Sequence, residues 1–267
     1  EACATPSNTV GCEGFPLRIR AMELKEKERR LEEILRSTAP AVIAFSGGVD
    51  SSYLAFKSHE VLGDQALAGM AESPSVPSHQ RRLAERVIAH IGIGFRSFRS
   101  QELQLEAFQT NTATRCYYCK KELFSNLEKI AEDYACATIL DGFNADDVND
   151  YRPGRQAGKE HCVRSPLMEA GLTKEDIREL SRQAGLPTAD EPASACLASR
   201  FPYGIPITEE KLRIVDTGEE YLRGMGFRVF RVRHHDNLAR LEFGPDDLRK
   251  ALNIETAQQL VTQFKRL

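Results

Sequence analysis

The segment Ala41-Val42-Ile43-Ala44-Phe45-Ser46-Gly47-Gly48-Val49-Asp50-Ser51-Ser52 changes character at its midpoint. Its first five residues are apolar and two are β-branched, as in a strand buried on both faces. A Ser-Gly-Gly turn follows, and Asp50-Ser51-Ser52 opens a helical pattern through Tyr53, Leu54, Phe56, Val61 and Leu62. A strand, a glycine turn and a helix N-terminus together make an anion site. Glycines let the backbone approach phosphate oxygens, the N–H groups point inward, and the helix dipole favours negative charge. Ser46, Ser51 and Ser52 add hydroxyl donors. The Asp50 carboxylate repels phosphate, so it points to a magnesium ion held between the two. The chain has no Gly-x-x-x-x-Gly-Lys-Ser/Thr run, and this loop is not Gly-x-Gly-x-x-Gly. Taken alone, the same letters also describe an ordinary glycine-rich turn with serine caps.

At 267 residues the chain is long enough to bury a sizeable core, as one large domain or two modest ones. Thirty-six basic against thirty-nine acidic residues leave a net charge of −3, which gives no electrostatic case for nucleic acid as the main partner. No apolar run approaches the roughly 18 residues that a membrane helix needs. The first twenty residues lack a charged segment followed by an apolar one, so neither a signal peptide nor a membrane partner is expected. The seven cysteines (Cys3, Cys12, Cys116, Cys119, Cys136, Cys162 and Cys196) are odd in number. With the nucleotide-type loop, they fit a reducing cytoplasm and metal or catalytic use better than disulfides.

Residues 1–20 mix Pro, Gly, Ser and Thr without period and read as a flexible tail or sequence appended in cloning, with Cys3 and Cys12 incidental. Residues 21–37 carry Leu24, Leu31, Ile34 and Leu35 on one helical stripe. Beyond the loop and its helix, strands are expected at Ala66–Met70 and Phe95–Phe98, separated by a helix around Leu83–Ile91 that Gly92 ends. This alternation argues for a parallel sheet covered on both faces, with ligands at the carboxyl ends of its strands. Thr114-Arg115-Cys116-Tyr117-Tyr118-Cys119 opens the next helix, where two cysteines three apart share a face. They read equally as small buried hydrophobes or as a redox pair. Ala137–Leu140 reads as another core strand, ending in the polar run Asp141-Gly142-Phe143-Asn144-Ala145-Asp146-Asp147. That run suits nucleotide or metal contact, or a solvated turn. Arg152 beyond it is in reach of a phosphate.

Thr173–Gly185 is expected to be a helix with a threonine cap. Asp190–Gly204 has turn residues at both ends and little period, so it reads as a long functional loop. Within it, Cys196 is a candidate thiolate whose pKa the nearby Arg200 lowers, whereas Cys136 and Cys162 read as buried, inert thiols. Thr208–Gly224 is a helix, and strands at Phe227–Arg233 and Leu238–Phe243 pair across a His234-His235-Asp236-Asn237 turn. Arg231 and Arg233 then share one strand face, where a phosphate or plain solvent separates their charges. Glu219 and Glu242 are candidate ligands of a divalent ion or ordinary surface carboxylates. Asp246–Leu267 reads as one or two closing helices.

The Ser46–Ser52 loop resembles the SGGxDS signature of the PP-loop, or ATP pyrophosphatase, superfamily. It is followed in order by Arg115–Lys121, the Asp141–Gly154 block, Cys196–Gly204 and Arg231-Val232-Arg233. Together these motifs look like the LarE-type sulfur transferases of that superfamily, over roughly residues 25 to 245. The resemblance implies an α/β fold: a parallel-sheet, adenine nucleotide α-hydrolase-like PP-loop domain at 21–190. A smaller α+β region for substrate binding and sulfur transfer follows at 191–267. It implies that ATP adenylates a pyridinium carboxylate of pyridinium-3,5-biscarboxylic acid mononucleotide, releasing pyrophosphate, and that sulfur then displaces AMP. ATP would meet Ser46, Gly47, Gly48, Val49, Asp50, Ser51, Ser52, Met70, Arg115 and Asp141. Ser199, Arg231 and Arg233 would hold the mononucleotide phosphate, and Asp50, Glu219 and Glu242 a divalent ion. Cys116, Cys119 and Cys196 match a branch that holds a [4Fe-4S] cluster on three cysteines, with a sulfide on the fourth iron. Another branch has one cysteine, matching Cys196, and sacrifices its sulfur. A homo-oligomer in the cytoplasm and a further glycine-rich strand segment after the last helix are also implied. The sequence stops at Leu267, so that segment is trimmed or the substrate region differs.

Three other readings stand beside this one. A PP-loop tRNA thiolase needs a basic face, an ammonia-using ligase needs no cysteine trio, and a non-catalytic nucleotide or iron–sulfur module releases no pyrophosphate.

Overall fold

The computed structural model describes residues 14–134, 138–149 and 153–267. Residues 1–13 of the expected tail, Cys136 and Arg152 lie outside them. In chain order the elements are α1 (Gly14–Arg36), β1 (Ala41–Ala44), α2 (Val49–Leu62), β2 (Ala66–Glu72), α3 (Ser78–Ile91) and β3 (Gly94–Arg99). Next come α4 (Glu106–Gln109), α5 (Arg115–Asp133), β4 (Thr138–Leu140), α6 (Gly154–Glu160), α7 (Pro166–Glu169) and α8 (Lys174–Gln183). The chain closes with α9 (Glu209–Gly224), β5 (Phe230–His235), β6 (Leu238–Phe243), α10 (Pro245–Ala251) and α11 (Ile254–Phe264). Helix α1 takes in residues 14–20, which the sequence assigned to the tail.

β1 to β4 form a parallel sheet in the order β3-β2-β1-β4. Strand alternation sends side chains of β1 to opposite faces. Ala41, Ile43 and Phe45 pack in one core with Leu54, Val87 and Ile177, whereas Val42 and Ala44 pack with Phe124 and Leu127 of α5. Both faces are therefore covered, which is why β1 reads as an uninterrupted apolar run. The first three strands step outward from β1, and α5 returns the chain to place β4 on the other side. The strand order thus reverses between β1 and β4, and a crevice opens at their carboxyl ends. The loop Ser46–Gly48 and the polar run from Asp141 both begin at that crevice.

A third core unites Leu197, Ala198 and Phe201 of the long loop with Leu212, Leu222, Val232 and Leu260. β5 and β6 form an antiparallel hairpin in this region, with Arg231 opposite Glu242. His234 and His235 lie on β5 rather than in the turn, because Asp236 adopts a left-handed conformation (φ +51°) and closes a two-residue connection with Asn237. The two halves meet where α3 packs on α9. Ser78 donates from its backbone N (3.0 Å) and its hydroxyl (2.5 Å) to Asp216, and Arg82 pairs with Glu220 at 2.5 Å.

Gly47 is where the first phosphate-type loop turns. Its φ is +71°, and an added Cβ would lie 2.7 Å from the Ala84 Cβ of α3. Gly47→Ala is therefore expected to lower the unfolding free energy by about 1–3 kcal/mol, through a strained backbone and a displaced α3. Urea unfolding measures it, and a midpoint equal to the parent's would contradict this packing.

Candidate active site

The site is assembled from three loops. The first follows β1. Ser51, on the first turn of α2, braces it: its Oγ accepts from the Ser46 N–H (3.2 Å), lies 3.1 Å from Ser46 Oγ and donates to the Gly48 carbonyl (3.1 Å). Gln80 Nε2 donates to the Ser46 carbonyl at 3.1 Å, tying the loop to α3. The backbone N–H groups of Gly48, Val49 and Asp50 thus stand at the start of a 14-residue helix, the arrangement that binds anions. Asp50 is held by Lys174 and by Asn144 Nδ2 at 3.4 Å. An ammonium already balances this carboxylate, so a magnesium ion fits here only together with phosphates that take up Lys174.

The second loop follows β4. Gly142 passes so close to α2 that a Cβ would stand 3.0 Å from the Ser51 N. Buried Asp141 accepts from Ser165 Oγ (2.6 Å) and Phe143 N (3.2 Å). Burial pushes its carboxyl up, against those hydrogen bonds and the charge of Lys120. Met70, expected at ATP, has its side chain in the core beside β1 and lies within β2, opposite Ser97 of β3.

The third loop, Asp190–Gly204, brings the cysteines together. Leu197 N donates to the Ser75 carbonyl at 2.8 Å, so the segment after Cys196 is pinned to the turn beyond β2. Cys119 on α5 packs against the core that contains Leu197 and Ala198. Cys196 senses Cys116, Cys119 senses Cys196, and both sense Glu102, a carboxylate on the single turn Glu102–Gln104. Four free cysteines are present among the described residues; Cys116 and Cys119 are one turn apart on α5, and Cys119 shares a core with Leu197, the neighbour of Cys196. The fourth, Cys162, is exposed at a left-handed turn (φ +53°) after α6, not buried as its sequence context suggested.

The Cys196 thiol is not the lowered thiolate expected from a neighbouring arginine. Although Cys196 is exposed as a residue, protein crowding around its sulfur pushes the thiol up, and Arg115, not Arg200, pulls it back. Burial and the Glu102 carboxylate push Cys119 well up. Arg200 is committed elsewhere. It donates through Nε (2.7 Å) and Nη2 (3.1 Å) to Glu219, and through Nη1 to the Ala195 carbonyl (3.1 Å). Arg115, expected at ATP, lies over the Tyr203 ring with its Nε buried and unpartnered.

Glu219 is 3 % exposed and also accepts from Val232 N at 3.3 Å, so both its oxygens serve the protein. Glu242 is bound by Arg233 (2.9 Å) and Arg240 (2.7 Å). Burial would raise it, but the two arginines outweigh burial and hold its carboxyl below the usual range. Among the described residues no three His, Cys, Asp or Glu side chains are gathered closely enough to hold a metal ion, and Asp50, Glu219 and Glu242 have separate partners. Of the expected phosphate group, Arg233 donates to the Ser199 carbonyl at 2.8 Å. Arg231 makes no side-chain hydrogen bond or ion pair among the described residues and lines a cavity of about 390 Å³ with Gln80, Ser194, Arg223 and Arg228. That cavity runs from α3, whose Gln80 is tied to the first loop, to the β5–β6 hairpin.

Sequence reasoning missed Glu102, Ser73, Ser75, Gln80 and Lys174. Their contacts are long-range, and no motif marks them. Glu219 can be tested directly: Glu219→Ala strands the buried Arg200 guanidinium and is expected to cost about 3–5 kcal/mol of stability. An unchanged urea midpoint would return Glu219 to the role of a free ligand.

No protein-family model matches the chain. It is 40% identical to an uncharacterized protein of Synechocystis sp., over 91% of this chain and 90% of the relative. It is 36% identical to pyridinium-3,5-bisthiocarboxylic acid mononucleotide synthase of Lactiplantibacillus plantarum, over 82% of this chain and 80% of the relative. A subunit of the glutamine-hydrolyzing GMP synthase of Methanocaldococcus jannaschii is 26% identical over 70% of this chain and 64% of its own length. The β1 loop, the strand order and these likenesses agree: the chain belongs to the LarE-type sulfur transferase family of the PP-loop superfamily.

Proposed function

We propose that this protein inserts sulfur into pyridinium-3,5-biscarboxylic acid mononucleotide at the expense of ATP, on the way to a nickel-pincer nucleotide. The observation that carries the reading is the meeting of Cys116, Cys119 and Cys196 at the loop that also lines the arginine-bearing cavity. ATP phosphates lie against the N–H groups of residues 47–50, with Asp50 and magnesium beside them, and Arg231 takes the phosphate of the mononucleotide. A substrate carboxylate oxygen attacks the α-phosphorus and pyrophosphate leaves. A sulfur nucleophile then attacks the acyl carbon and AMP leaves, so the carbon–oxygen bond is replaced by carbon–sulfur with no net redox change.

For the sulfur source, the donor set fits a [4Fe-4S] cluster. Cys116 and Cys119 lie one helical turn apart on α5, Cys119 packs in the same core as Leu197 next to Cys196, and a cluster spaces its thiolates more widely than a single ion does. When bound, the cluster would supply an iron-held sulfide. Cys116, Cys119 and Cys196 would ligate it, giving up their thiol protons as they do so. A second reading, sacrifice of the Cys196 sulfur, is favoured by the exposure of that residue. A cytoplasmic homo-oligomer is the setting that goes with either. The net charge of −3 weighs against a tRNA substrate.

The cluster reading predicts many thiolated products per chain with ATP and a sulfide source, each with one pyrophosphate, counted by mass spectrometry. One product per chain, with a loss of roughly 34 Da from the protein, would assign the sulfur to Cys196 instead. Pyrophosphate release unaffected by the pyridinium carboxylate would overturn the adenylation. Separately, Arg231→Ala is expected to weaken binding of the mononucleotide by roughly 10–100-fold, as loss of a charge-assisted hydrogen bond does. Calorimetry checks it, and unchanged affinity would move the phosphate elsewhere.

A further inference from the structure

The cavity between α3 and the β5–β6 hairpin carries more positive charge than its own carboxylates offset. Arg223 of α9, Arg228 and Arg231 all line it. Each carboxylate on the same walls faces another group: Glu219 holds Arg200, Glu242 holds Arg233 and Arg240, and Glu191 stands 3.4 Å from the His79 imidazole. Arg228 and Arg231 make no side-chain hydrogen bond or ion pair among the described residues. Arg223 is matched only weakly. Its Nε is buried without a hydrogen bond, 3.6 Å from Glu220, and that carboxylate already pairs with Arg82 at 2.5 Å. The Arg223 guanidinium lies 5.2 Å from the centre of the Phe230 ring, which keeps it at the start of β5.

Guanidiniums that share a cavity repel, and the repulsion grows where water is scarce. With no carboxylate free to enter among these three, the missing partner is an anion. A phosphomonoester suits the place better than a carboxylate does, because it brings more charge and more terminal oxygens to the forked donors. Arg233, the other arginine expected at the phosphate, already donates to Glu242 and to the Ser199 carbonyl. The cavity volume of about 390 Å³ lies within the range of small-ligand sites.

We propose that Arg223 and Arg228 hold the phosphate of the mononucleotide together with Arg231, in a pocket built from α9 and the approach to β5. This rests on the substrate reading given above and assigns it two further binding residues. Arg223 supplies a half-buried charge, and Arg228 and Arg231 supply exposed ones. The pocket then selects for the phosphate itself, since a nucleoside without it leaves the three arginines unmatched. Bound phosphate also joins α9 to the hairpin, the two elements that Glu219 already ties to the Arg200 turn.

The test is calorimetric binding of ribose 5-phosphate, with ribose as the control, to the full chain and to its Arg223→Gln, Arg228→Gln and Arg213→Gln variants. Arg213 lies on α9 but does not line the cavity. Each of the first two substitutions is expected to weaken ribose 5-phosphate roughly tenfold, with Arg213→Gln without effect and ribose not bound. Arg223→Lys, which keeps the charge and loses the fork, is expected to recover part of the loss. Affinity equal to the parent's in either cavity variant would overturn the proposal. An equal loss in Arg213→Gln would do so too, because the effect would then be one of overall charge. Arg228 is exposed, so its variant decides the matter if Arg223→Gln does not fold. A parent that binds no ribose 5-phosphate, yet releases pyrophosphate when given the pyridinium carboxylate, would overturn this pocket and leave the sulfur-insertion reading in place.

Discussion

The bidentate ion pair between Arg200 and Glu219 is the contact on which the rest of the site depends. Both residues are almost fully buried, and each guanidinium or carboxylate group is satisfied on every side. Arg200 ends the short turn that follows Cys196 and bonds the backbone of Ala195, while Glu219 sits in α9 and receives Val232 of β5. One pair therefore fixes the cysteine loop, the long helix and the hairpin to one another. Such a pair contributes little net stability compared with apolar packing, but removing one member is costly. Its value here lies in specifying where the loop stands.

In the proposed reaction, that placement would serve two chemistries. The sheet reverses its strand order at β1 and β4, so the anion-binding loop and the Asp141 turn face each other across the crevice. The Asp190–Gly204 loop lies between α3 and the hairpin. Its first residues line the cavity with Gln80 and Arg231, and Cys196 stands next to the helix that carries Cys116 and Cys119. The three loops need not move as one, since Ser78–Asp216 and Arg82–Glu220 already hold α3 against α9.

Much of the fold was legible in the sequence because it depends on short-range rules. β1 and its glycine turn, the Gly92 and Gly185 helix stops and the Thr173 and Thr208 caps all follow from local period and local chemistry. The parallel order followed from alternation of strands and helices. The site was legible as a set of letters but not as a set of partners. Asp50, Glu219 and Glu242 looked like free carboxylates, yet Lys174, Arg200 and the Arg233–Arg240 pair claim them across long loops. Arg200 beside Cys196 suggested a thiolate, but sequence adjacency does not set side-chain direction, and the charge that reaches the sulfur is Arg115. Glu102 carried no motif at all. Its burial and its bonds to Ser73 and Ser75 arise only from tertiary contact.

The proposed iron–sulfur centre requires Cys116, Cys119 and Cys196 together as its ligands. The most direct measurement is iron and acid-labile sulfide per chain after anaerobic purification, with Cys116→Ala, Cys119→Ala and Cys196→Ala beside the parent. About four irons and four sulfides are expected in the parent, with loss of the intact cluster in each single variant. Full iron content in any one of the three variants, or none in the reconstituted parent, would contradict it.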